Sequence, residues 1–153
     1  MDKKEDWNLE LSEYIKQGEP NQVEKTKTWE TAIGLQDVDG LKPSKYLIKT
    51  AKEHIEGTID IGEVKVRIDE YYEVQDSRKN FEKENEEADK VAVRITEILS
   101  EKAFIFSPTE LLNIHKRLFK DIFDGAGIYR NYNFTKKEWV LNGDTVIYAS
   151  FDT

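Results

Sequence analysis

The sequence predicts a mainly α-helical protein, and three features support this prediction. Apolar residues recur at helical spacing along most of the chain, as in the run Ala88, Val91, Ala92, Ile95, Ile98 and Leu99. Capping residues or proline precede several of these stripes, and glycine follows others. Only after about residue 127 does the pattern become extended, so we expect helices first and a small β element near the end.

Residues 9–73 are predicted to form a compact unit of four short helices. Each helix has its own apolar stripe, and the first carries Leu11, Tyr14 and Ile15. Turn and capping signals separate the helices at Gly18-Glu19-Pro20, Asp39-Gly40, Pro43-Ser44, Gly57 and the Asp60/Glu63 pair.

A charged segment from Gln75 to Asp89 follows, and we interpret it as a solvated helix start or a linker. The amphipathic stripe from Ala88 to Leu99 opens the second part of the chain. Ser107-Pro108-Thr109-Glu110 is the clearest helix start in the sequence, because it combines an N-cap serine, a proline and a capping glutamate. We therefore predict two domains, residues 1–74 and residues 75–153.

After Gly125-Ala126-Gly127 the apolar period changes from helical to extended. The run from Glu138 to Leu141 then faces the run from Thr145 to Tyr148 across Asn142-Gly143. Two-residue hairpin turns favour Asn-Gly, because both residues tolerate positive φ. A β-hairpin is therefore predicted, and as an isolated two-stranded ribbon it is marginal unless it packs on something else.

Composition argues against several classes of partner. The 31 acidic and 23 basic side chains give a formal net charge of −8, whereas nucleic-acid binding depends on clustered Lys and Arg. The chain has no cysteine, which excludes disulfides, thiolate metal sites and a Cys nucleophile. No run of apolar residues approaches the roughly 20 that a membrane span needs. We expect a cytoplasmic protein that binds neither nucleic acid nor membrane.

Standard catalytic patterns are absent from the sequence, which has no Walker-type loop, no Gly-x-Gly-x-x-Gly and no Gly-x-Ser-x-Gly. His54 and His115 are far apart, and we expect structural roles for both, with His54 exposed and His115 in a hydrogen bond on an apolar helix face. The carboxylates from Glu82 to Asp89 form a charged run on a predicted exposed face rather than a converging pair. We therefore predict no catalytic residue and no metal site in this chain.

Three segments in the second half occur in an order that resembles the Fic domain. The first is the run Leu112-Asn113-Ile114-His115-Lys116-Arg117-Leu118-Phe119, the second is Ala126-Gly127-Ile128-Tyr129-Arg130, and the third is the predicted hairpin. An ordinary helix packed on an ordinary hairpin would not explain all three together. In Fic proteins the hairpin is a flap that pairs with a segment of the target protein. The resemblance places this flap at Thr135, Lys136, Lys137, Glu138, Trp139 and Val140.

The segment from Trp29 to Ser44 resembles the small helical antitoxin module that is fused to Fic enzymes or encoded beside them. The inhibitory pattern of that module is Ser or Thr, three residues, Glu, and Gly or Asn. The nearest match is Leu35-x-x-x-Asp39-Gly40, which departs at both key positions. A second match, Lys52-x-x-x-Glu56-Gly57, keeps the Glu-Gly pair but lacks the hydroxyl residue. The sequence does not decide which of the two helices is the inhibitory one.

The resemblance implies an enzyme that transfers AMP from ATP, with Mg²⁺, to a hydroxyl of a target protein. The catalytic loop of such enzymes reads His-Pro-Phe-x-x-Gly-Asn-x-Arg, and these 153 residues do not contain it. In that loop the histidine is the general base, and the glycine-rich turn cradles the phosphates. We therefore expect the chain to be the N-terminal part of an autoinhibited adenylyltransferase, inactive and without cofactor on its own.

The alternative is a non-enzymatic regulator of the toxin-antitoxin type, in which the helical module acts on a separate Fic partner. One structural feature distinguishes the two possibilities. An incomplete enzyme should leave apolar surface uncovered on the helix from Leu111 to Ile122 and around Trp139, whereas a finished regulator should not. In the complete enzyme, the resemblance implies that a carboxylate of the inhibitory helix pairs with an arginine of the catalytic loop.

Overall fold

The computed structural model describes residues 6–75, 81–101, 105–133, 135–137, 145–147 and 149–150. This part of the chain is mainly helical, as predicted. Its helices are α1 (Asp6–Gln17), α2 (Pro20–Val38), α3 (Lys45–Ile55), α4 (Ile61–Gln75), α5 (Phe81–Leu99) and α6 (Pro108–Phe119). Its strands are β1 (Thr135–Lys137) and β2 (Thr145–Ile147). The chain divides into two compact units, Met1–Ile105 and Phe106–Thr153.

Helix α2 is the centre of the first unit, because it packs against α1, α3 and α5. Helix α4 packs against α3 and α5. Side chains from all five helices form one core, whose members are Leu11, Trp29, Ala32, Ile33, Leu47, Ile48, Ala51, Ile55, Val64, Ile68, Tyr72, Ala92 and Val93. Each large apolar side chain buried in this way contributes about 1.5–3 kcal/mol to folding.

The helix ends follow the capping signals in the sequence. Asp60 Oδ1 accepts a hydrogen bond from Glu63 N at 2.8 Å before α4 begins. Ser107 Oγ accepts one from Glu110 N at 3.0 Å at the start of α6. After α1, Gly18 has a φ of 77°, which glycine adopts without strain. The predicted ends of these helices are confirmed. They were predictable because hydrogen bonds between residues close in sequence determine them.

Helix α5 belongs to the first unit, so the structure divides the chain after residue 105 rather than after residue 74. Ala92 and Val93 of α5 lie in the core of that unit. The charged segment that suggested a linker includes the beginning of this helix. The apolar stripe further along α5 needs a surface to cover it, and α2 and α4 provide that surface.

The second unit contains α6 and a two-stranded antiparallel ribbon. The ribbon pairs the following residues: Thr135 with Ile147, Lys136 with Val146, and Lys137 with Thr145. The predicted partner of β2, Glu138 to Leu141, and the turn at Asn142-Gly143 lie outside the described residues. Strand β2 thus pairs with residues that precede the predicted run, and the register differs from the predicted one.

The apolar stripe of helix α6 is only partly covered. None of its residues, all of which the structure describes, is buried. Other large apolar side chains of the second unit are also exposed, including Phe106 at 89% and Ile128 at 69%. Leu111, on α6 itself, is 61% exposed. Within the described part of the chain, the apolar stripe of this helix is therefore covered less completely than such a stripe normally is.

Candidate functional site

The first inhibitory candidate, Asp39, lies at the C-terminal end of α2. The helix ends here because Gly40 has a φ of 73°, in the left-handed region that glycine adopts without strain. Gly40 N donates to Asp37 O at 2.9 Å. Leu41 N donates to Gln36 O at 3.1 Å. This Schellman-type closure satisfies carbonyls of the last turn and fixes the backbone around Asp39.

The exposed carboxylate of Asp39 lies at the negative end of the α2 dipole. The last turn of α2 contains no basic residue that would offset this charge. The pKa of Glu87 is raised, first by desolvation and second by the negative charge of Asp39. Negative charges gathered at this helix end destabilise the isolated chain. The same arrangement attracts a cationic group such as a guanidinium.

Leu35 lies about one helical turn before Asp39, at the position where the inhibitory pattern of the antitoxin module that the sequence resembles has Ser or Thr. Its side chain is 52% exposed. Residues four apart on a helix lie on the same face, so Leu35 and Asp39 present an apolar group and a carboxylate side by side. A partner protein would therefore contact the apolar side chain of Leu35 here instead of a hydroxyl group.

The second candidate, Glu56, lies at the C-terminal end of α3 and has a similar backbone, because Gly57 has a φ of 80°. Its carboxylate differs from that of Asp39, since it already accepts a hydrogen bond from the hydroxyl of Tyr14 in α1. Desolvation, followed by this contact with Glu56, raises the pKa of Tyr14 to about 12. Glu56 therefore joins α1 to α3, and Asp39 is the more available of the two carboxylates.

His54 is buried, with 7% of its surface exposed, so the prediction of an exposed His54 is wrong. Trp29 Nε1 donates a hydrogen bond to His54 Nδ1 at 3.0 Å. Burial, with a smaller effect of the Lys25 charge, lowers the pKa of His54 to about 4. The ring must be neutral, since a protonated Nδ1 could not accept this bond. His54 thus holds α3 against α2.

Asp89 is also buried, which corrects the prediction that the charged run around it is solvated. It accepts hydrogen bonds from Ser44 N at 2.9 Å, from Ser44 Oγ at 2.5 Å and from Tyr72 Oη at 2.5 Å. Burial raises the pKa of Asp89 to about 6, although these hydrogen bonds oppose the shift. The position of Asp89 between Ala88 and Val91, inside an apolar stripe, was the sequence signal for a buried carboxyl with partners.

In the second unit, helix α6 and the turn at Ala126 to Arg130, two of the segments that resemble the Fic domain, are in contact. Gly127 N donates a hydrogen bond to His115 Nδ1 at 2.9 Å. Gly127 has a φ of 77°, and a Cβ atom there would lie 2.6 Å from Lys116 Cβ. Only glycine fits this turn without a shift of its neighbours. His115 is exposed, so its hydrogen bond lies at the surface of the described structure rather than on a covered apolar face.

Arg130 connects this turn to the ribbon. Its guanidinium donates hydrogen bonds to Tyr132 O at 3.2 Å and to Ala149 O, just beyond β2. The predicted flap begins in β1, which contains Thr135, Lys136 and Lys137. The other predicted flap positions lie outside the described residues: Glu138, Trp139 and Val140. The base of the ribbon is therefore held by the arginine of the Ala-Gly-x-x-Arg segment.

Comparisons with known proteins find no family model, no curated protein and no solved structure that matches the chain. Within the part that the structure describes, no group of three or more His, Asp or Glu side chains could hold a metal ion. No helix in that part is both long enough and apolar enough to cross a membrane.

Proposed function

We propose that this chain carries the inhibitory module and the first helices of a Fic-type protein adenylyltransferase, with Asp39 as the inhibitory carboxylate. Other polypeptide supplies the catalytic loop, which these 153 residues do not contain. In the complete enzyme AMP passes from ATP, with Mg²⁺, to a hydroxyl of a target protein. On its own the chain is inactive and has no nucleotide site.

The available carboxylate of Asp39 is the observation that carries this proposal. In Fic enzymes an arginine of the catalytic loop holds the γ-phosphate of ATP, and a carboxylate paired with that arginine keeps the phosphate out. Asp39 is exposed and can form such a pair with both oxygens, whereas one oxygen of Glu56 already accepts a hydrogen bond from the Tyr14 hydroxyl. A charge-assisted hydrogen bond of this kind contributes about 1.5–3 kcal/mol, which corresponds to roughly 10- to 150-fold in activity.

The incompletely covered apolar stripe of α6 supports an incomplete enzyme over a finished regulator. None of the α6 residues is buried, although the whole helix is described. Exposed apolar surface is unfavourable in water, and it is stabilised when a further element packs against it. The polypeptide that supplies the catalytic loop would provide that element.

The ribbon supports the assignment of a target-binding flap at Thr135 to Val140. In the described sheet, each strand has one edge that the other strand does not pair. Such an edge presents N–H and C=O groups to which an extended segment of a target protein can add as a further strand. The hydrogen bond of Arg130 to Ala149 O fixes the base of this edge.

An adenylylation assay tests the inhibitory role. The purified chain is added to a separately produced Fic catalytic segment, and transfer of radiolabelled AMP is measured. In the mixture with the wild-type chain, which supplies the first helices and the flap, transfer should stay low. Asp39→Asn removes the charge at nearly constant size, so it should restore transfer by roughly 10- to 150-fold. Glu56→Gln is the matched control and should suppress transfer as the wild type does.

Three results of this assay would contradict the proposal. Increased AMP transfer with Glu56→Gln but not with Asp39→Asn would indicate that α3 is the inhibitory helix. Equal release by both substitutions would indicate a loss of folding rather than of a specific pair, and circular dichroism of both variants would show it. Transfer in the mixture with the wild-type chain that is as high as in the mixture with Asp39→Asn would exclude Asp39 as the inhibitory carboxylate.

A further inference from the structure

A cavity of about 530 Å³ lies between α1 and α3 of the first unit. Helix α1 contributes Trp7 and Glu10 to its lining, and α3 contributes Lys45, Lys49 and Lys52. The cavity is open to solvent, because Glu10, Lys45 and Lys49 are exposed residues. Ligand pockets usually measure about 300–1,000 Å³. The cavity is therefore large enough for a small molecule, and a ligand in it can reach these exposed side chains directly.

The lining of this cavity is positively charged, although the chain as a whole has a formal net charge of −8. Lys45, Lys49 and Lys52 lie at i, i+4 and i+7 on α3, so the helix places them on one face. Among the residues that the structure describes, Glu10 is the one acidic member of the lining, so three lysines and one carboxylate give a formal charge of +2. Lys45 is also the first residue of α3, at the positive end of the helix dipole. An anion with two negative charges therefore balances the lining.

Two of the three lysines are available to a ligand. Lys52 Nζ donates a hydrogen bond to a carboxylate oxygen of Glu10, so a carboxylate is already bound to this face of α3. Lys45 and Lys49, by contrast, have no ion pair within the described part of the chain. Side chains four residues apart on a helix begin about 5–6 Å from each other. This spacing suits two separate carboxylates better than the concentrated charge of one phosphate.

An apolar wall completes the cavity. Trp7 lines it and packs, partly buried, against the core of the first unit. Pro43 and Ile48 also belong to the lining. Aromatic rings stack favourably on an indole, beyond the gain from burying their surface. The combination of an indole and two available lysines therefore favours a ligand that carries its charges on a flat ring.

We propose that this cavity binds a small aromatic dicarboxylate. Its ring lies against Trp7, and its two carboxylates pair with the ammonium groups of Lys45 and Lys49. Asp39, the proposed inhibitory carboxylate, is not among the residues that line the cavity. The site therefore goes beyond the Fic-type function and does not depend on it.

An NMR titration of the full chain with sodium isophthalate, at neutral pH and constant ionic strength, tests the site. Isophthalate is a flat ring that carries two separate carboxylates. The indole N–H signal of Trp7 should shift and reach saturation. The indole N–H signal of Trp29 should stay in place, because that side chain is fully buried and does not line the cavity.

Three further compounds test the ring and the charges separately. Benzyl alcohol has the ring without a charge and should give no saturable shift. Glutarate has two carboxylates without a ring, and it should bind more weakly than isophthalate because it cannot stack on Trp7. Benzoate has the ring with a single carboxylate. It should bind roughly two- to fivefold more weakly than isophthalate, since it loses one solvent-exposed ion pair.

Substitutions of the charged lining residues should have effects of opposite sign. Lys49→Gln should weaken isophthalate binding by roughly two- to fivefold, because it removes one exposed ion pair, and Lys45→Gln should have the same effect. Glu10→Gln removes a negative charge from the lining and frees the ammonium group of Lys52. It should therefore tighten isophthalate binding by a similar factor, which damage to the fold would not do.

Lys27→Gln is the matched control, because it makes the same change of charge on α2. Lys27 is exposed and is not among the residues that line the cavity. This variant should bind isophthalate as the wild type does. Surface substitutions of this kind change stability little, so all four variants should keep a thermal unfolding midpoint close to that of the wild type.

Several results would overturn the proposal. A linear, non-saturating shift of the Trp7 signal, or equally tight binding of benzyl alcohol, would show that there is no carboxylate site. Tighter binding of inorganic phosphate than of isophthalate would contradict the assigned class of ligand, and equally tight binding of glutarate would contradict the role of Trp7. Equal losses in Lys49→Gln and Lys27→Gln, or weaker binding by Glu10→Gln, would exclude the assigned ion pairs.

Discussion

The carboxyl group of Asp89 has a pKa of about 6 in the folded chain, against an ordinary value of 3.8, because burial disfavours its charged form. Folded Asp89 therefore keeps its proton up to a higher pH than unfolded Asp89 does. Raising the pH from about 4 to about 6 favours the unfolded state through this group. The total effect is about 3 kcal/mol.

His54 has the opposite effect in nearly the same range of pH. Folded His54 releases its proton near pH 4, whereas the unfolded side chain keeps its proton up to its ordinary value of 6.5. Raising the pH between these values favours the folded state. The two buried groups therefore oppose each other, and the wild-type stability should depend only weakly on pH in this range.

Asp89→Asn should remove the contribution of Asp89 to the pH dependence of stability. The free energy of unfolding of the variant, relative to the wild type, should increase by about 3 kcal/mol between pH 4 and pH 7. Urea denaturation followed by circular dichroism at several pH values measures this difference. A difference that stays constant with pH would show that Asp89 does not bind a proton more tightly in the folded chain.

The partners of these residues could not be predicted from the sequence. Asp89 and His54 are satisfied by side chains of other helices, and only the packing of those helices brings them together. The resemblance indicated Asp39 and Glu56 as alternatives. The hydrogen bond from Tyr14, a long-range contact, is what separates them.

Helix ends could be predicted, because the groups that cap them lie within a few residues of one another. The Ser107 cap of α6 is an example, since its partner is Glu110 N. The placement of α5 and the register of the ribbon could not be predicted in the same way. Both depend on segments that are distant in sequence, and a one-residue change of register is invisible in local composition.

Gly127→Ala tests the contact between α6 and the turn that follows it. Alanine is strained at a φ of 77°, and its Cβ would lie 2.6 Å from Lys116 Cβ. The hydrogen bond to His115 should therefore break, and the local structure should lose about 1–2 kcal/mol or more. Amide hydrogen exchange of the Gly127 region, followed by NMR, should become roughly tenfold faster.

Gly125→Ala is the control for this experiment. A Cβ atom at Gly125 has no neighbouring atom within 4 Å among the described residues. The exchange rates around His115 should therefore stay at their wild-type values. The same effect of both substitutions would show that the turn is sensitive to any added side chain, and it would contradict a specific contact of Gly127.

The two compact units should differ in stability across the whole molecule. In the first unit, five helices share one core. In the second, no residue of the fully described α6 is buried. Amides of α2 and α3 should exchange more slowly than those of α6 by roughly two orders of magnitude or more, because few buried contacts protect α6. Equal protection of α6 and α2 would mean that the α6 face is covered in solution.

The mainly helical class was predictable from apolar periodicity over many turns, which averages out local errors. The extent of each unit was not predictable, because the charged segment that includes the beginning of α5 has the composition of a linker. Its buried members, Ala88 and Asp89, become apparent only when α2 and α4 are in place. The proposed inhibitory role requires a catalytic loop that these 153 residues do not contain.

A double-mutant cycle tests the inhibitory pair most directly. Asp39→Ala in this chain is combined with replacement by alanine of the catalytic-loop arginine in a separate Fic segment, and the affinity of the two polypeptides is measured by calorimetry. Our account predicts that the two substitutions are not additive, with a coupling energy of about 1.5–3 kcal/mol. Additivity within about 0.5 kcal/mol would show that Asp39 does not contact that arginine, and it would contradict the account.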